Sequence, residues 1–262
     1  MTESLPNNLM YMRCLIANVV FVGQPDAHDW VLVDAGVHTY ADNIANAAKK
    51  RFRSARPRAI VLTHAHFDHI GSLGKLLEMW ESIPVYAHEK ELPYVTGKAD
   101  YPEPDPSVGG GLMARISPLY PHTAIDISSH VRPLPQDGSV PELPGWRWIH
   151  TPGHTEGHVS FFRDHDRVLI AGDAFITVKQ ESAFAVATQE KEIHGPPAYW
   201  TPDWYEAWES VKKLEDMKPE IAITGHGVPM LGEELRQSLA RLAKDFDKLA
   251  IPEQGRYVPQ HS

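Results

Sequence analysis

Short runs of β-branched and apolar residues alternate with amphipathic stretches along this chain, a pattern typical of an α/β protein. We predict strands at residues 12–22, 30–36, 58–63, 84–88, 146–150, 159–163, 167–172 and 220–224. We predict helices, from apolar side chains at helical spacing, at residues 39–53, 71–80, 204–217 and 232–250. Several strands follow one another without a helix between them, which favours hairpins and mixed sheets over a doubly wound parallel sheet.

The last predicted helix carries an apolar stripe that is expected to face the core. Its members are Leu235, Leu239, Leu242, Phe246 and Leu249.

Two long irregular stretches, 98–131 and 174–203, interrupt the alternation of strands and helices. The first contains several prolines and the triplet Gly109–Gly111. Long loops inside compact domains often form binding surfaces or lids, so both stretches are expected to shape a pocket, with a mobile surface loop as the alternative for the first. No internal repeat or low-complexity linker divides the chain, which predicts a single domain over residues 1–262.

Composition narrows the class of partner. Hydrophobic residues make up 42% of the 262, enough for a sizeable core, and the formal net charge is −9. An acidic surface repels a phosphate backbone, so we expect a small-molecule substrate and no nucleic acid.

The single cysteine, Cys14, excludes an intrachain disulfide and fits a reducing compartment. The apolar run 12–22 contains Arg13 and Asn18, which favours a strand over an export signal or a membrane span; we therefore expect a cytoplasmic protein with no membrane partner.

The candidate chemistry lies in a cluster of histidines. Histidine occurs 15 times, and the segment His64-Ala65-His66-Phe67-Asp68-His69 directly follows a predicted strand. Residues two apart in an extended chain project to one side, so His64 and His66 are expected to point together. Imidazole and carboxylate are the ligands that Zn²⁺ and related ions prefer. At this chain's composition the pattern H-x-H-x-D-H arises by chance in roughly one chain in 300, so it predicts a metal site.

The segment from Thr63 to Gly71 resembles the signature of the metallo-β-lactamase superfamily. Three later segments match in the same order, each just after a predicted strand: Thr151–Thr155, Gly172-Asp173 and Gly225–Gly227. The resemblance extends from about residue 12 to residue 232. It implies an αββα sandwich, in which two mixed β-sheets are flanked by helices.

The resemblance also implies a two-metal site with seven ligands. One metal is bound by His64, His66 and His154, the other by Asp68, His69 and His226, and both by Asp173. The implied cofactor is two Zn²⁺ per chain, with Fe, Mn or Co as alternatives.

Further roles follow for residues near these ligands. Asp68 is the candidate catalytic residue that orients the attacking hydroxide and carries its proton. Asp34 and His158 are expected either to be structural or to support the ligands, rather than to bind metal. His194 and Tyr199, in the second irregular stretch, are candidate residues of the substrate pocket.

The implied activity is zinc-dependent hydrolysis of a small ester, lactone or thioester, as in the glyoxalase-II-like and lactonase-like branches. Asp173 is generally lacking in true β-lactamases, which makes an antibiotic an unlikely main substrate. The alternative activity is that of a mononuclear-iron sulfur (persulfide) dioxygenase, which would use His64, His154 and Asp173. A non-enzymatic metal-binding module is a third interpretation, and the oligomeric state is left open.

Overall fold

The structure is a computed structural model that describes residues 4–54, 56–81 and 83–258. Contacts between residues group the chain into two compact units. The N-terminal unit comprises the chain up to Tyr101 together with Thr123–Trp148, and the C-terminal unit comprises Pro102–His122 and the chain from Ile149. The prediction of a single domain over residues 1–262 stays a prediction.

The N-terminal unit is built on a six-stranded mixed sheet with the order β1-β2-β3-β4-β5-β6. Its strands are β1 (Leu9–Cys14), β2 (Ala17–Val22), β3 (Val31–Val33), β4 (Ala59–Val61), β5 (Val85–Ala87) and β6 (Val131–Pro133). The first three strands pair antiparallel, and β3 to β6 pair parallel. The predicted mixed pairing is therefore confirmed for this sheet.

Helices of the N-terminal unit connect these strands, as parallel pairing requires. They are α1 (Ala41–Arg51), α2 (Phe67–Ile70), α3 (Leu73–Met79) and α4 (Leu92–Val95). Aromatic packing secures part of the core: the Trp30 ring stacks on Phe52 at 4.5 Å between ring centroids and meets Trp80 edge-on at 5.8 Å. The Trp30 indole N–H donates to the carbonyl of Ser54, so this buried group is satisfied.

A five-stranded mixed sheet has the order β11-β10-β9-β8-β7. Its strands are β7 (Trp146–His150), β8 (Val159–Arg163), β9 (Val168–Gly172), β10 (Ile221–Thr224) and β11 (Met230–Leu231). The boundary between the two units falls within β7. Strands β8 and β9 form the predicted hairpin, and β9 runs parallel to β10. The predicted fold class, two mixed sheets with flanking helices, is confirmed.

The C-terminal unit has two long helices that cover its apolar core. Its helices are α5 (Leu112–Ile116), α6 (Ala183–Thr188), α7 (Trp204–Asp216), α8 (Gly232–Lys244) and α9 (Phe246–Leu249). Apolar side chains of α7 and α8 join one buried cluster with Phe162 and Phe175. The longest helices in the described part of the chain have 13 residues, and none there is long and apolar enough to cross a bilayer.

Several predicted elements differ from those of the structure. The run 12–22 is not one strand, because β1 begins at Leu9 and the chain turns back at Leu15, which adopts a positive φ of 63°. The predicted helix 232–250 is interrupted at Asp245, after which Phe246 stacks on Trp208. The irregular stretches contain the short helices α5 and α6, and strands β6 and β11 were not predicted.

The apolar stripe of the last two helices is confirmed as core-facing except at Leu249. Leu235, Leu239, Leu242 and Phe246 are at most 1% exposed, whereas Leu249 is 36% exposed. The stripe bends away from the core at Leu249 because the helix is interrupted.

We predict that Leu239→Ala lowers the free energy of unfolding by about 2–5 kcal/mol, because it removes buried methyl groups and leaves a cavity. The matched variant Leu249→Ala should change it by less than about 1 kcal/mol, since that side chain already contacts solvent. Urea denaturation followed by tryptophan fluorescence measures both. Equal effects of the two variants would contradict the described packing of α8.

Candidate metal centre

The histidine motif of the N-terminal unit leaves β4 in an extended conformation and turns into α2. His66 is the last extended residue, and Asp68 and His69 lie in the first turn of the helix. The ring centroid of His64 lies 4.7 Å from that of His66 and 4.2 Å from that of His69. All four predicted ligands of this unit are buried, Asp68 being the most exposed at 7%.

The Asp34 carboxylate orients two of these histidines. Its Oδ2 accepts hydrogen bonds from His69 Nδ1 (2.9 Å) and from the Thr63 hydroxyl (2.8 Å), while Oδ1 accepts from the Thr63 amide. Because the Thr63 hydroxyl proton is given to Asp34, its oxygen accepts from His64 Nδ1, which lies 3.0 Å away. Both imidazoles are therefore protonated on Nδ1 and carry the lone pair on Nε2. This tautomer binds a metal ion through Nε2. These hydrogen bonds place Asp34 against two predicted ligands, and its role in supporting a metal site stays a prediction.

The C-terminal unit gathers His154, Asp173 and His226. The Asp173 Oδ2 atom lies 3.0 Å from His226 Nε2 and 3.5 Å from His154 Nε2. The three side chains are at most 2% exposed. One carboxylate oxygen is thus flanked by two buried imidazole nitrogens.

Local backbone geometry explains this convergence. Asp173 directly follows β9 and His226 follows the parallel strand β10, so both emerge at the same edge of the sheet. A side chain on Gly153, which has φ of +126°, would come within 2.6 Å of Ala207 in α7. Glycine before His154 therefore permits the close approach of this helix.

Two further contacts fix the C-terminal histidines. His158 Nε2 accepts a hydrogen bond from the Asp173 amide at 2.9 Å, so its Nδ1 carries the proton and donates to Thr151. His158 thus contacts the backbone of a predicted ligand, and its role in supporting a metal site stays a prediction. The Thr201 hydroxyl donates to the Pro197 carbonyl, which leaves its oxygen to accept from His154 Nδ1 at 3.4 Å.

Four residues near the ligands were not singled out from the sequence: Thr63, Thr201, Glu91 and Tyr101. The Glu91 carboxyl is fully buried and accepts from the Ala65 amide between two predicted ligands. Burial and the neighbouring Glu91 raise the pKa of Tyr101, so its hydroxyl stays protonated and donates to Glu91. These contacts join residues that are far apart in sequence, and no local pattern signals them.

A cavity of about 570 Å³ in the C-terminal unit is lined by His194, Lys179 and Glu181 from one irregular stretch, by Val108–Gly110 from the other, and by residues 249–254. Burial lowers the pKa of His194, so its imidazole is neutral at pH 7. Tyr199 is buried, its carbonyl accepts from the Asp105 amide, and its ring packs 5.8 Å from Tyr120. Contact of His194 or Tyr199 with a substrate stays a prediction.

The donors of each unit suit a cation such as Zn²⁺. They are imidazoles and carboxylates, they are buried, and several imidazoles are held with Nε2 as the lone-pair atom by a partner at Nδ1. The assignment of all seven residues to one two-metal site stays a prediction.

We predict that Asp34→Asn weakens Zn²⁺ binding by about 10–100-fold, because an amide nitrogen in place of Oδ2 cannot accept from His69 and Thr63. Asp29→Asn, an exposed position just before β3, is the matched control and should bind Zn²⁺ like the wild type. Chelator competition measures both dissociation constants. Wild-type affinity in Asp34→Asn would show that Asp34 does not orient the ligands.

Comparison with known proteins identifies the family. The model of the metallo-β-lactamase superfamily matches residues 12–226. The chain is 55% identical over 236 residues to the probable metallo-hydrolase YflN of Bacillus subtilis, covering 89% of each chain. It is 31% identical over 125 residues to the hydroxyacylglutathione hydrolase of Xylella fastidiosa, covering 47% of this chain and 34% of that protein.

Solved structures agree on the fold. The BLEG-1 B3 metallo-β-lactamase aligns with a TM-score of 0.62 at 24% identity, covering 89% of this chain and 99% of that one. TTHA1623 in a di-iron-bound form aligns with a TM-score of 0.54 at 24% identity, covering 88% and 97%. The chain belongs to the metallo-β-lactamase superfamily.

Proposed function

We propose that this chain is a dinuclear-metal-dependent hydrolase of a small ester, lactone or thioester. The observation that carries the proposal is the Asp173 oxygen flanked by His154 and His226 nitrogens, an arrangement suited to a carboxylate that bridges two cations. Similarity to YflN, a probable metallo-hydrolase, over most of both chains supports hydrolysis. The partial match to a hydroxyacylglutathione hydrolase supports an acyl substrate.

In this proposal the seven ligands predicted from the motifs bind two cations. His64, His66 and His154 would hold one cation, Asp68, His69 and His226 would hold the other, and Asp173 would be a ligand of both. When bound, the two cations acidify a water molecule and polarise the substrate carbonyl. We propose that the cations are Zn²⁺, because Zn²⁺ favours imidazole and carboxylate ligands. Iron is the alternative, because the similar protein TTHA1623 has a di-iron-bound form.

The chain's own residues orient the reactants and move the proton. Asp68 lies in the first turn of α2 beside His69, where its carboxylate accepts the proton of the attacking water and delivers it to the leaving group. Asp34 holds His69 directly and His64 through Thr63, so the ligands need little reorganisation during the reaction. His158 fixes the backbone of Asp173.

The cavity around His194 is proposed to receive the substrate. Backbone hydrogen bonds join His194 to Ile176 in both directions, and the Thr177 amide donates to the His226 carbonyl. The His194 segment is therefore two strand spacings, about 10 Å, from the His226 segment. A neutral imidazole there can donate a hydrogen bond to a substrate oxygen, and Tyr199 directly follows Ala198, which lines the cavity. A cytoplasmic location and a small-molecule partner remain part of this proposal.

The alternative function, that of a persulfide dioxygenase, uses a single iron and requires fewer of the seven predicted ligands. Four further donors, His66, Asp68, His69 and His226, are buried in this chain. Burying imidazoles and carboxylates has a desolvation cost that metal ligation offsets, so their retention favours the two-metal hydrolase.

We predict that His64→Ala and Asp173→Asn each lower ester hydrolysis at least about 100-fold and reduce the bound metal, because each removes a ligand. His165→Ala is the matched control, since that side chain is 71% exposed and lies in the turn after β8. Initial rates with an aryl ester and elemental analysis of the same samples provide the readouts. Full activity in either ligand variant would refute the assignment.

We predict that His194→Ala raises KM about 10-fold and leaves metal content unchanged, since it removes a hydrogen bond to the substrate but no ligand. The readout is KM and kcat across a panel of lactones, aryl esters and thioesters. An unchanged KM for every substrate of the panel would show that this cavity does not bind the substrate.

A further inference from the structure

The peptide between the two first ligands is held by a buried carboxyl. Glu91 ends a 3-10 turn at Glu89–Glu91 and has no exposed surface. Its Oε2 accepts from the Ala65 amide at 2.9 Å, and the Tyr101 hydroxyl donates to the same oxygen. The Tyr101 oxygen also accepts a hydrogen bond from the Ala65 amide, at 3.1 Å. Two polar side chains thus converge on the amide of Ala65, the residue that joins His64 to His66.

The Tyr101 ring extends this contact to a ligand. Its centroid lies 4.5 Å from that of His66, and its other neighbour is Tyr94, which stacks at 3.8 Å and 15°. Tyr101 is only 8% exposed. The ring is therefore fixed between Tyr94 and His66, and the hydroxyl is fixed by Glu91.

Packing alone does not account for this arrangement. A buried carboxyl carries a desolvation cost that an apolar residue of similar volume would avoid. One backbone amide needs only one acceptor, yet both Glu91 and Tyr101 approach the Ala65 amide. Their convergence restricts the rotation of the His64–Ala65 peptide, which directly follows His64 and lies one residue before His66.

We propose that Glu91 and Tyr101 are positioning residues that hold His64 and His66 in the geometry for metal binding. The inference rests on the proposed function, in which these two histidines bind the same cation. Glu91 acts through the Ala65 amide, and Tyr101 acts through that amide and through its ring contact with His66. Partners that orient ligands in this way commonly contribute 10–100-fold to metal affinity.

The test is titration of the metal-free protein with Co²⁺, whose visible absorption reports ligand geometry. Tyr101→Phe keeps the ring and removes the hydroxyl, while Glu91→Gln keeps the shape and removes the charge. Matched controls are Tyr86→Phe, a half-buried tyrosine on β5, and Glu89→Gln, an exposed position in the same 3-10 turn. We expect both test variants to bind one of two Co²⁺ ions about 10–100-fold more weakly, with a shifted visible spectrum when saturated, and both controls to match the wild type.

Wild-type affinity and spectrum in Tyr101→Phe and Glu91→Gln would overturn the inference while leaving the two-metal site intact. If Glu91→Gln does not fold, Tyr101→Phe decides the question, because it keeps every ring contact. Failure of the wild-type protein to bind two Co²⁺ ions would instead overturn the proposed function, and the positioning role with it.

Discussion

The Asp34 carboxylate accepts hydrogen bonds from His69 and from both polar groups of Thr63, and through Thr63 it determines the orientation of His64. A buried imidazole that donates from Nδ1 presents a lone pair at Nε2, so this one side chain decides which atoms of two histidines can bind a cation. In the C-terminal unit other residues make the equivalent contacts. The Thr201 hydroxyl accepts a hydrogen bond from His154, and His158 accepts one from the Asp173 amide. In both units the predicted donor atoms are oriented by hydrogen-bonding neighbours that lie outside the predicted ligand set.

The sheets supply the framework for these neighbours. Parallel pairing of β9 with β10 brings Asp173 and His226 to the same edge, and the Trp30 and Phe246 clusters bury the apolar faces behind the two sheets. Glycine is needed where a ligand segment approaches another element closely, as Gly153 does at α7. Rigid strands therefore position the ligands, while the irregular stretches form the walls of the His194 cavity.

Much of this organisation could be predicted from local pattern. The strands from Trp146 to Gly172 are apolar runs bounded by a polar turn, and the motif residues follow strand ends directly. The turn at Leu15 could not be predicted, because it contains no glycine, proline or asparagine and its positive φ falls on a leucine. The contacts of Ala65 with Glu91 and Tyr101 span 26 and 36 residues, so they depend on tertiary packing that a local pattern does not encode. The combination of ligands from both units into one site was predicted from the motifs and remains a prediction.

The central claim is that the seven predicted ligands hold two cations in one chain. The most direct test is elemental analysis of protein purified without added metal, with the metal-to-protein ratio measured on a single monodisperse fraction. We expect about two Zn, Mn or Co ions per chain, as in a two-metal hydrolase. About one iron per chain, or no bound metal, would contradict it.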